Sequence, residues 1–457
     1  MAKKGSIGNG EFCSAMKLLD ELMPETELDA LQPSFPHAVY TTLVTLWMLT
    51  LQRLGGGKSL EKIVKDVLSE NREILPQNKR VEDGTLSFSS GTYSDARQRL
   101  KLETTKHFAN RVCHSLIDLS PPAFEGRRAF IIDGTTITLP PTPELQDAFP
   151  PARNQLGETV WPVAMLMVAH ELQSGCALPP EIGAMYGENN TSEAAQAKAI
   201  AKRIPRGDIV MADSGFGIFG VAYNLVHNGH PILLRMTKSR FKSVCRKATL
   251  IEDWEGRRTY QARWTPSAKD RKSHPELPED AALDVFLHEV PLENEVLYLV
   301  TTLPAASDTA AEYYSRRYDV EHDIRDVKVT LNTERIRARS VEMVQKELLT
   351  SIVAYNLVVQ FRRQAADLAN VPPRRLSFTE VWDTFCTFVI EKEPCDAATW
   401  IARYEEALHL AAKYCKLPNR PNPRNYPRKA HPRRPKSTKF MKQQRKKTRD
   451  PTQTEAN

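Results

Sequence analysis

Five short apolar runs after residue 126 constrain the fold of this chain more than any other feature of its sequence. Their length is typical of strands buried on both faces of a sheet. The runs are AFIID (129–133), TITL (136–139), MLMVA (165–169), DIVMAD (208–213) and PILLRM (231–236). A helical pattern, SEAAQAKAIAKRI, lies between the third and fourth runs. Strands and helix that alternate in this way predict an α/β layer.

Helical patterns precede this layer. LVTLWMLTLQRL and LEKIVKDVLSE place apolar residues at three-to-four spacing, which predicts a helical domain over residues 1–125. Within it, SGTYSDARQRL (90–100) begins with cap-type residues and continues as a basic helix. That helix could face phosphates, so DNA binding is the role we expect of this domain, although for the helix itself a structural role with a charged outer face is the stronger default.

Polar, charge-rich and Pro-containing sequence interrupts the layer at about 238–295. We interpret it as a mostly β insertion, followed by one more apolar strand, LYLVTTL (297–303). A long helical region is predicted over 308–368 with a break near 333–340. A helical C-terminal region is predicted over 369–415.

Basic residues concentrate at the end of the chain. Residues 416–449 hold 14 of the 63 Lys and Arg and none of the 56 Asp and Glu, so the remainder is net negative. The Pro-rich tail, 416–457, is predicted to be disordered, and its charge suits a polyanion such as DNA. A solvated, nonspecific tail is about equally consistent with this composition, and a nuclear-import signal would fit it too.

Cysteine usage and hydropathy exclude several protein classes. The seven cysteines are odd in number and never form a C-x2-C pair, which indicates neither a disulfide framework nor a zinc site. No stretch approaches the roughly 20 apolar residues of a membrane span, and the start lacks a signal-peptide pattern. We therefore expect a soluble cytosolic protein without membrane contact.

Two aspartates each follow an apolar run and precede a small residue. Asp133 lies in FIIDGTT and Asp213 in IVMADSGF. Carboxylates at strand ends are candidate metal ligands, but an Asp in this position is more often a turn former or a helix cap. Each signal is weak when taken alone.

The segment YYSRRYDVEHDIRDVKVTL is the most informative one for chemistry. As one helix at about 100° per residue, it has a polar face beside an apolar stripe that could seat the helix on the sheet. The polar face comprises Tyr314, Arg317, Glu321, Arg325 and Lys328. An amphipathic helix with ion pairs one turn apart explains this segment equally well by itself.

The spacing Y-x2-R-x3-E-x6-K at Tyr314, Arg317, Glu321 and Lys328, following DGT and ADSGF, resembles the signature of the bacterial insertion sequence 4 family of DDE transposases. The resemblance covers about residues 93–366 and, more loosely, NYPRKAHPRRPK in the tail. It implies an RNase H-like catalytic core over 126–368 that contains the β-rich insertion.

The resemblance also implies roles for individual residues. Asp133, Asp213 and Glu321 would bind two Mg²⁺ ions, which Mn²⁺ could replace, with Asp133 bridging both. Arg317 and Lys328 would clamp phosphates, and Tyr314 would hydrogen-bond one. Trp254 and Trp264 are candidates for stacking on a flipped base, with core packing as the alternative for each.

The implied function is cut-and-paste DNA transposition. The partners would be double-stranded DNA, as the element's terminal inverted repeats and the target, and a second copy of the chain on that DNA. The place of action would be the nucleoid in the bacterial cytoplasm. A related metal-dependent DNA nuclease and a catalytically idle DNA-binding descendant remain as alternatives. Glycoside hydrolysis would also use paired carboxylates, but it leaves the basic tail unexplained.

Overall fold

A mixed β-sheet with helices packed on both faces forms the centre of the protein. It is described from a computed structural model. The described residues are 12–13, 21–70, 72–122, 124, 126–154, 157–293, 295–304, 306–327, 336–390 and 395–418. The basic tail beyond residue 418 and the signature residue Lys328 lie outside them.

Ten strands form the main sheet, in the order β3-β4-β2-β6-β7-β11-β10-β9-β8, with β5 paired to β4. A two-residue β1 (Phe12–Cys13) pairs separately with β12 (Cys395–Asp396). The strands of the main sheet are β2 (Ala129–Thr138), β3 (Pro151–Asn154), β4 (Gly157–Glu171), β5 (Glu181–Ala184), β6 (Ile209–Ala212), β7 (Ile232–Arg235), β8 (Thr249–Trp254), β9 (Arg257–Trp264), β10 (Leu283–Pro291) and β11 (Val296–Thr301). Strands β2, β6 and β7 are parallel, whereas β4 and β11 are antiparallel to their neighbours.

The described α-helices occur before the sheet, between its strands and after it. They are α1 (Glu25–Leu31), α2 (Thr42–Leu54), α3 (Leu60–Glu70), α4 (Lys79–Glu82), α5 (Gly91–Arg99), α6 (Leu102–Asp118), α7 (Pro143–Ala148), α8 (Glu193–Ala201), α9 (Phe219–His227), α10 (Lys238–Cys245), α11 (Ala268–Ser273), α12 (Ser307–Ser315), α13 (Tyr318–Arg325), α14 (Val341–Ala369), α15 (Phe378–Phe385) and α16 (Ala397–Tyr414). None of them is long and apolar enough to cross a membrane.

The fold is a mixed α/β sheet with helices, as expected for an RNase H-like core. Helices α2 and α6 pack against α14, and their apolar side chains join those of the sheet in one buried cluster. Helix α14 therefore links the N-terminal helices to the sheet. The prediction that residues 1–125 form a domain of their own stays a prediction.

The two strands predicted at 129–133 and 136–139 are wrong as separate elements, because β2 runs without a break through both. Asp and Gly favour turns, but β4 pairs with β2 continuously from Phe130 to Thr138. Long-range pairing with a fifteen-residue partner thus overrides the local turn preference.

The predicted β insertion extends the main sheet outward. Strand β11 pairs with β7, and β10, β9 and β8 follow in succession, all antiparallel. Helices α10 and α11 are also part of this region. Strands β8, β9 and β10 thus lie within 238–295, and the prediction that these residues form an insertion stays a prediction.

The helical region predicted over 308–368 is divided in two places. Helix α12 ends at Ser315 and α13 begins at Tyr318. The second break, expected near 333–340, is present in residues 336–340, which are not helical. Helix α14 then begins after Ser340, whose side chain accepts a hydrogen bond from the Met343 N–H at 3.4 Å.

Candidate active site

The register of two parallel strands places Asp133 beside Asp213. Ile131 of β2 is paired with Met211 of β6, and each aspartate lies two residues further along its chain. Since side chains alternate between the faces of a strand, Asp133 lies on the same face as Ile131, and Asp213 lies on the same face as Met211. Strand β6 ends at Ala212 while β2 continues. The two carboxylates therefore lie at the end of β6, on one face of the sheet.

Helices α12 and α13 cover this same face. Ile131 and Met211 belong to a buried apolar cluster that also contains Ala310 and Tyr314 of α12, and Ile324 of α13 packs against it. Helix α13 thus crosses the face of the sheet on which the aspartates lie, and it carries Glu321. The sheet and this helix bring together the three acidic residues of the signature.

The single helical face predicted for the signature residues is wrong at its first member. The backbone N–H of Arg317 bonds to the carbonyl of Tyr314 at 2.9 Å, in a turn that separates α12 from α13. Tyr314 is only 3% exposed and packs in the apolar cluster. Angles calculated for one continuous helix therefore do not describe Tyr314, whose ring lies in the buried cluster.

The electrostatics of Asp133 confirm that charged groups surround it. Burial raises the pKa of its carboxyl to about 6, and the Gly134 N–H, which donates to Oδ1 at 2.8 Å, opposes that shift. The charges of Asp213 and Glu321 raise this pKa further, whereas that of Arg317 lowers it. The pKa of Asp133 is thus affected by the charges of Asp213, Glu321 and Arg317, as expected for a carboxylate at the centre of an acidic site.

Arg317 pairs with one of the acidic groups of the signature. Its side chain is 11% exposed, and Nη2 is 3.4 Å from Oε1 of Glu321, whose side chain is 58% exposed. Arg317 also acts electrostatically on Asp133. Its guanidinium therefore partly offsets the negative charge that three carboxylates concentrate at this point.

The carboxylates do not form a closed metal cage. Within the described residues, no three or more His, Cys, Asp or Glu side chains are grouped so that they could hold a metal ion. Asp213 accepts a bond from the Gly215 N–H at 2.8 Å, and Glu321 turns toward Arg317. The donor set is nevertheless suited to a divalent cation, because hard carboxylate oxygens are its preferred ligands. A cation would also relieve the repulsion that raises the pKa of Asp133.

A buried ion network beneath α13 was not visible in the sequence pattern. Asp323 is 1% exposed and accepts two bonds from Arg374, at 2.7 and 3.4 Å. The Arg374 guanidinium also lies 3.1 Å from Asp319, and Arg362 of α14 lies 3.6 Å from Asp326. These contacts anchor the side of α13 that does not face solvent, and they leave Glu321 exposed.

Comparison with known proteins assigns the family. A family model described as "Transposase DDE domain" matches residues 124–357, which is just over half of the chain. The chain belongs to the DDE transposases. All three acidic signature residues lie inside the matched region, as does the whole β-rich insertion.

One curated relative to which the chain is similar is also a transposase. It is "Transposase InsG for insertion sequence element IS4" of Escherichia coli (strain K12), which is 25% identical over 295 residues. The match covers 62% of this chain and 64% of the relative. This DDE transposase is therefore aligned with a little under two thirds of its relative's length.

The two tryptophans proposed for base stacking have different surroundings in this DDE transposase. Trp254 is 57% exposed at the end of β8, next to a tight turn in which Glu255 and Gly256 both have positive φ. Trp264 is 4% exposed and packs edge-on against Phe219, with ring centres 5.4 Å apart. Trp264 thus has the core position that the sequence left open as its alternative, and Trp254 alone presents an accessible ring.

Proposed function

We propose that this chain binds the ends of an insertion sequence and catalyses metal-dependent cleavage of DNA strands and their transfer into target DNA. The observation that supports this most is the placement of Asp133, Asp213 and Glu321 on one face of the sheet, within the matched transposase domain. On that DNA we propose a homodimer, because two element ends must be brought together before transfer. Its place of action would be the nucleoid in the bacterial cytoplasm.

The proposed cofactor is a pair of Mg²⁺ ions, with Mn²⁺ as a substitute. Asp133, Asp213 and Glu321 would hold them. Bound cations of this kind activate an attacking water or 3′-hydroxyl and stabilise the leaving oxygen in an in-line displacement at phosphorus. The residues of the chain supply the oxygen ligands on a rigid sheet and on an anchored helix, which keeps their positions fixed relative to the DNA.

Arg317 and Lys328 are proposed to contact phosphates beside the bond that is cut. Arg317 is held near the carboxylates by Glu321, and its planar fork can bind two phosphate oxygens together. Lys328 lies outside the described residues, so its part rests on the signature alone. The phosphate contact predicted for Tyr314 is left out of this proposal, because the Tyr314 ring is buried.

Trp254 is proposed to stack on an unpaired or flipped base. Trp254→Ala should weaken binding to a DNA end with an unpaired base at the cleavage point by about 5- to 150-fold, corresponding to about 1–3 kcal/mol for one stacked base. Fluorescence anisotropy without divalent metal would measure this affinity, with fully paired DNA as the second probe.

Trp161→Ala is the matched control for Trp254→Ala, because Trp161 is also exposed, at 54%, and lies on β4. It should leave both affinities unchanged. Equal losses with the paired and the unpaired probe would contradict the stacking role of Trp254 and indicate a general contact with DNA.

The decisive experiment compares the wild-type protein with Glu321→Gln on DNA that carries the ends of the element. Metal-dependent cutting and joining by the wild type, lost in the variant but retained in Glu312→Gln, would support the proposal. Glu312 is an exposed acid on the neighbouring helix α12, which makes it a matched control. Cutting without joining would indicate the nuclease alternative, and binding without cutting would indicate an idle descendant.

A further inference from the structure

A cleft of about 650 Å³ lies between the N-terminal helices and the start of α14. We call it the arginine cleft, after Arg97 of α5 and Arg337 and Arg339, which precede α14. Ser94 and Gln98 also line it and contribute a hydroxyl and an amide. Guanidinium, hydroxyl and amide groups are the side chains that usually bind phosphate oxygens in DNA complexes.

The charge of this cleft is not balanced by its own walls. Among the described residues that line it, Glu347 is the only acid, and that carboxylate already pairs with Arg97 at 2.7 Å and with Arg53 behind it. Arg337 and Arg339 are exposed, and no acid in the described part of the chain pairs with either guanidinium. An anion that enters the cleft therefore meets an excess of positive charge.

Two buried arginine donors at this place, Nη1 of Arg53 and Nε of Arg97, have no acceptor among the described residues. Arg97 is 9% exposed at its side chain, and its Nε has no hydrogen-bond partner among the described residues. Burial lowers the pKa of Arg53, and the nearby charges of Arg97 and Arg337 lower it further, against the opposing effect of Glu347. Arg53 and Arg97 thus share one carboxylate, and the charge of Arg337 also acts on Arg53. A second anion in the cleft would reduce the repulsion between these arginines.

The cleft is connected to the acidic site through β2. Ile336 and Ala338 are buried in a cluster with Ile137 and Leu139, at the far end of the strand that carries Asp133. Buried and exposed residues alternate from 336 to 339, so the side chains of Arg337 and Arg339 face solvent. Ile137 and Leu139 follow Asp133 by four and six residues, and such a separation along a strand spans about 13–20 Å. The same length of duplex DNA contains about four to six base pairs at roughly 3.4 Å each.

We propose that the arginine cleft binds the phosphates of a DNA strand about four to six base pairs from the bond that is cut, through Arg337 and Arg339. The inference rests on the proposed function and extends it. It assigns a binding surface to residues outside the signature, and it places the N-terminal helix α5 on the path of the DNA.

The test measures binding separately from cleavage. Fluorescence anisotropy in EDTA would give the affinity for duplex DNA that carries the element's end, over a range of salt concentrations. Arg337→Ala combined with Arg339→Ala should weaken binding about 10- to 100-fold at low salt, and it should reduce the salt dependence by about one to two ion equivalents. Both side chains are exposed, so their removal leaves the core intact.

Two further proteins keep the result interpretable. Arg263→Ala removes an exposed arginine that pairs with Asp284 on the outer strands β9 and β10, and it should change affinity less than twofold. Arg337→Lys combined with Arg339→Lys keeps both charges and should retain most of the salt dependence, which would show that charge rather than local folding is responsible.

Position along the DNA gives the sharpest readout. Neutral methylphosphonates placed four to six base pairs from the cleavage point should weaken binding by the wild type but not by the double alanine variant. Equal losses in both proteins would overturn the inference and leave the proposed function intact. Absence of wild-type binding to the end DNA would overturn both together.

Discussion

Asp133→Asn is expected to lower strand cleavage by at least about 10³-fold, as the loss of an essential catalytic group does, and at the same time to stabilise the protein. Both effects have one origin, which is the placement of a partly buried carboxylate near Asp213 and Glu321. The negative charge that catalysis needs at this position lowers the stability of the folded protein. Asparagine keeps an oxygen for the Gly134 N–H, so the local hydrogen bond is preserved.

The pH dependence of the unfolding free energy distinguishes this charge effect of Asp133→Asn from a change in side-chain packing. The pKa of Asp133 is about 6 in the folded protein, above its value of about 3.9 in an unfolded chain. A group whose pKa rises on folding contributes stability at low pH and loses it as pH passes through the folded pKa. As the pH rises from about 4 to about 7, the free energy of unfolding of the wild type should therefore fall by up to about 3 kcal/mol relative to that of Asp133→Asn.

Urea denaturation in EDTA at both ends of this pH range would measure the difference. Asp147→Asn is the matched control, because Asp147 is exposed on α7, and it should change the free energy of unfolding by less than about 0.5 kcal/mol. If Asp133→Asn were inactive but equally destabilised at both pH values, Asp133 would have a structural role rather than a place in a charged site.

The strands were predictable because apolar runs are a local signal, whereas their extent and neighbours were not. Asp133 was assigned to a strand end because Asp-Gly usually forms a turn. In the fold it lies within β2, because β4 provides hydrogen-bonding partners on both sides of Gly134. The register that brings Asp133 and Asp213 together arises from pairing between segments about 80 residues apart, for which no local pattern exists.

The candidate site shows the same division between local and long-range information. The spacing of the signature depends on chain order and could be recognised directly. The turn between α12 and α13 and the burial of Tyr314 depend on packing against the sheet. No local signal marks Asp323 as buried, because its partner Arg374 lies 51 residues away. Likewise, nothing local distinguishes Trp254 from Trp264, since Phe219 of α9 decides which of them is buried.

The largest stability effect is expected for Glu347→Gln. Glu347 is 2% exposed and pairs with Arg53, also 2% exposed, and with Arg97, 9% exposed. A buried ion pair adds little stability over apolar packing, but removal of one partner leaves an uncompensated charge in the interior and costs about 3–5 kcal/mol. In Glu347→Gln the guanidinium groups of Arg53 and Arg97 lose their shared anion. The single amide oxygen of glutamine can accept hydrogen bonds from only some of their N–H groups.

Thermal and urea denaturation of Glu347→Gln would measure this cost, with Asp367→Asn as the matched control on the same helix. Asp367 is exposed near the end of α14, so its replacement should change the free energy of unfolding by at most about 0.5 kcal/mol. Replacement of Arg53, Arg97 and Glu347 together by apolar residues should recover most of the loss. If Glu347→Gln were as mild as the control, the three charges would have to be hydrated rather than buried. The ion cluster would then not hold α2 and α5 against α14, and the arginine cleft would have no fixed wall.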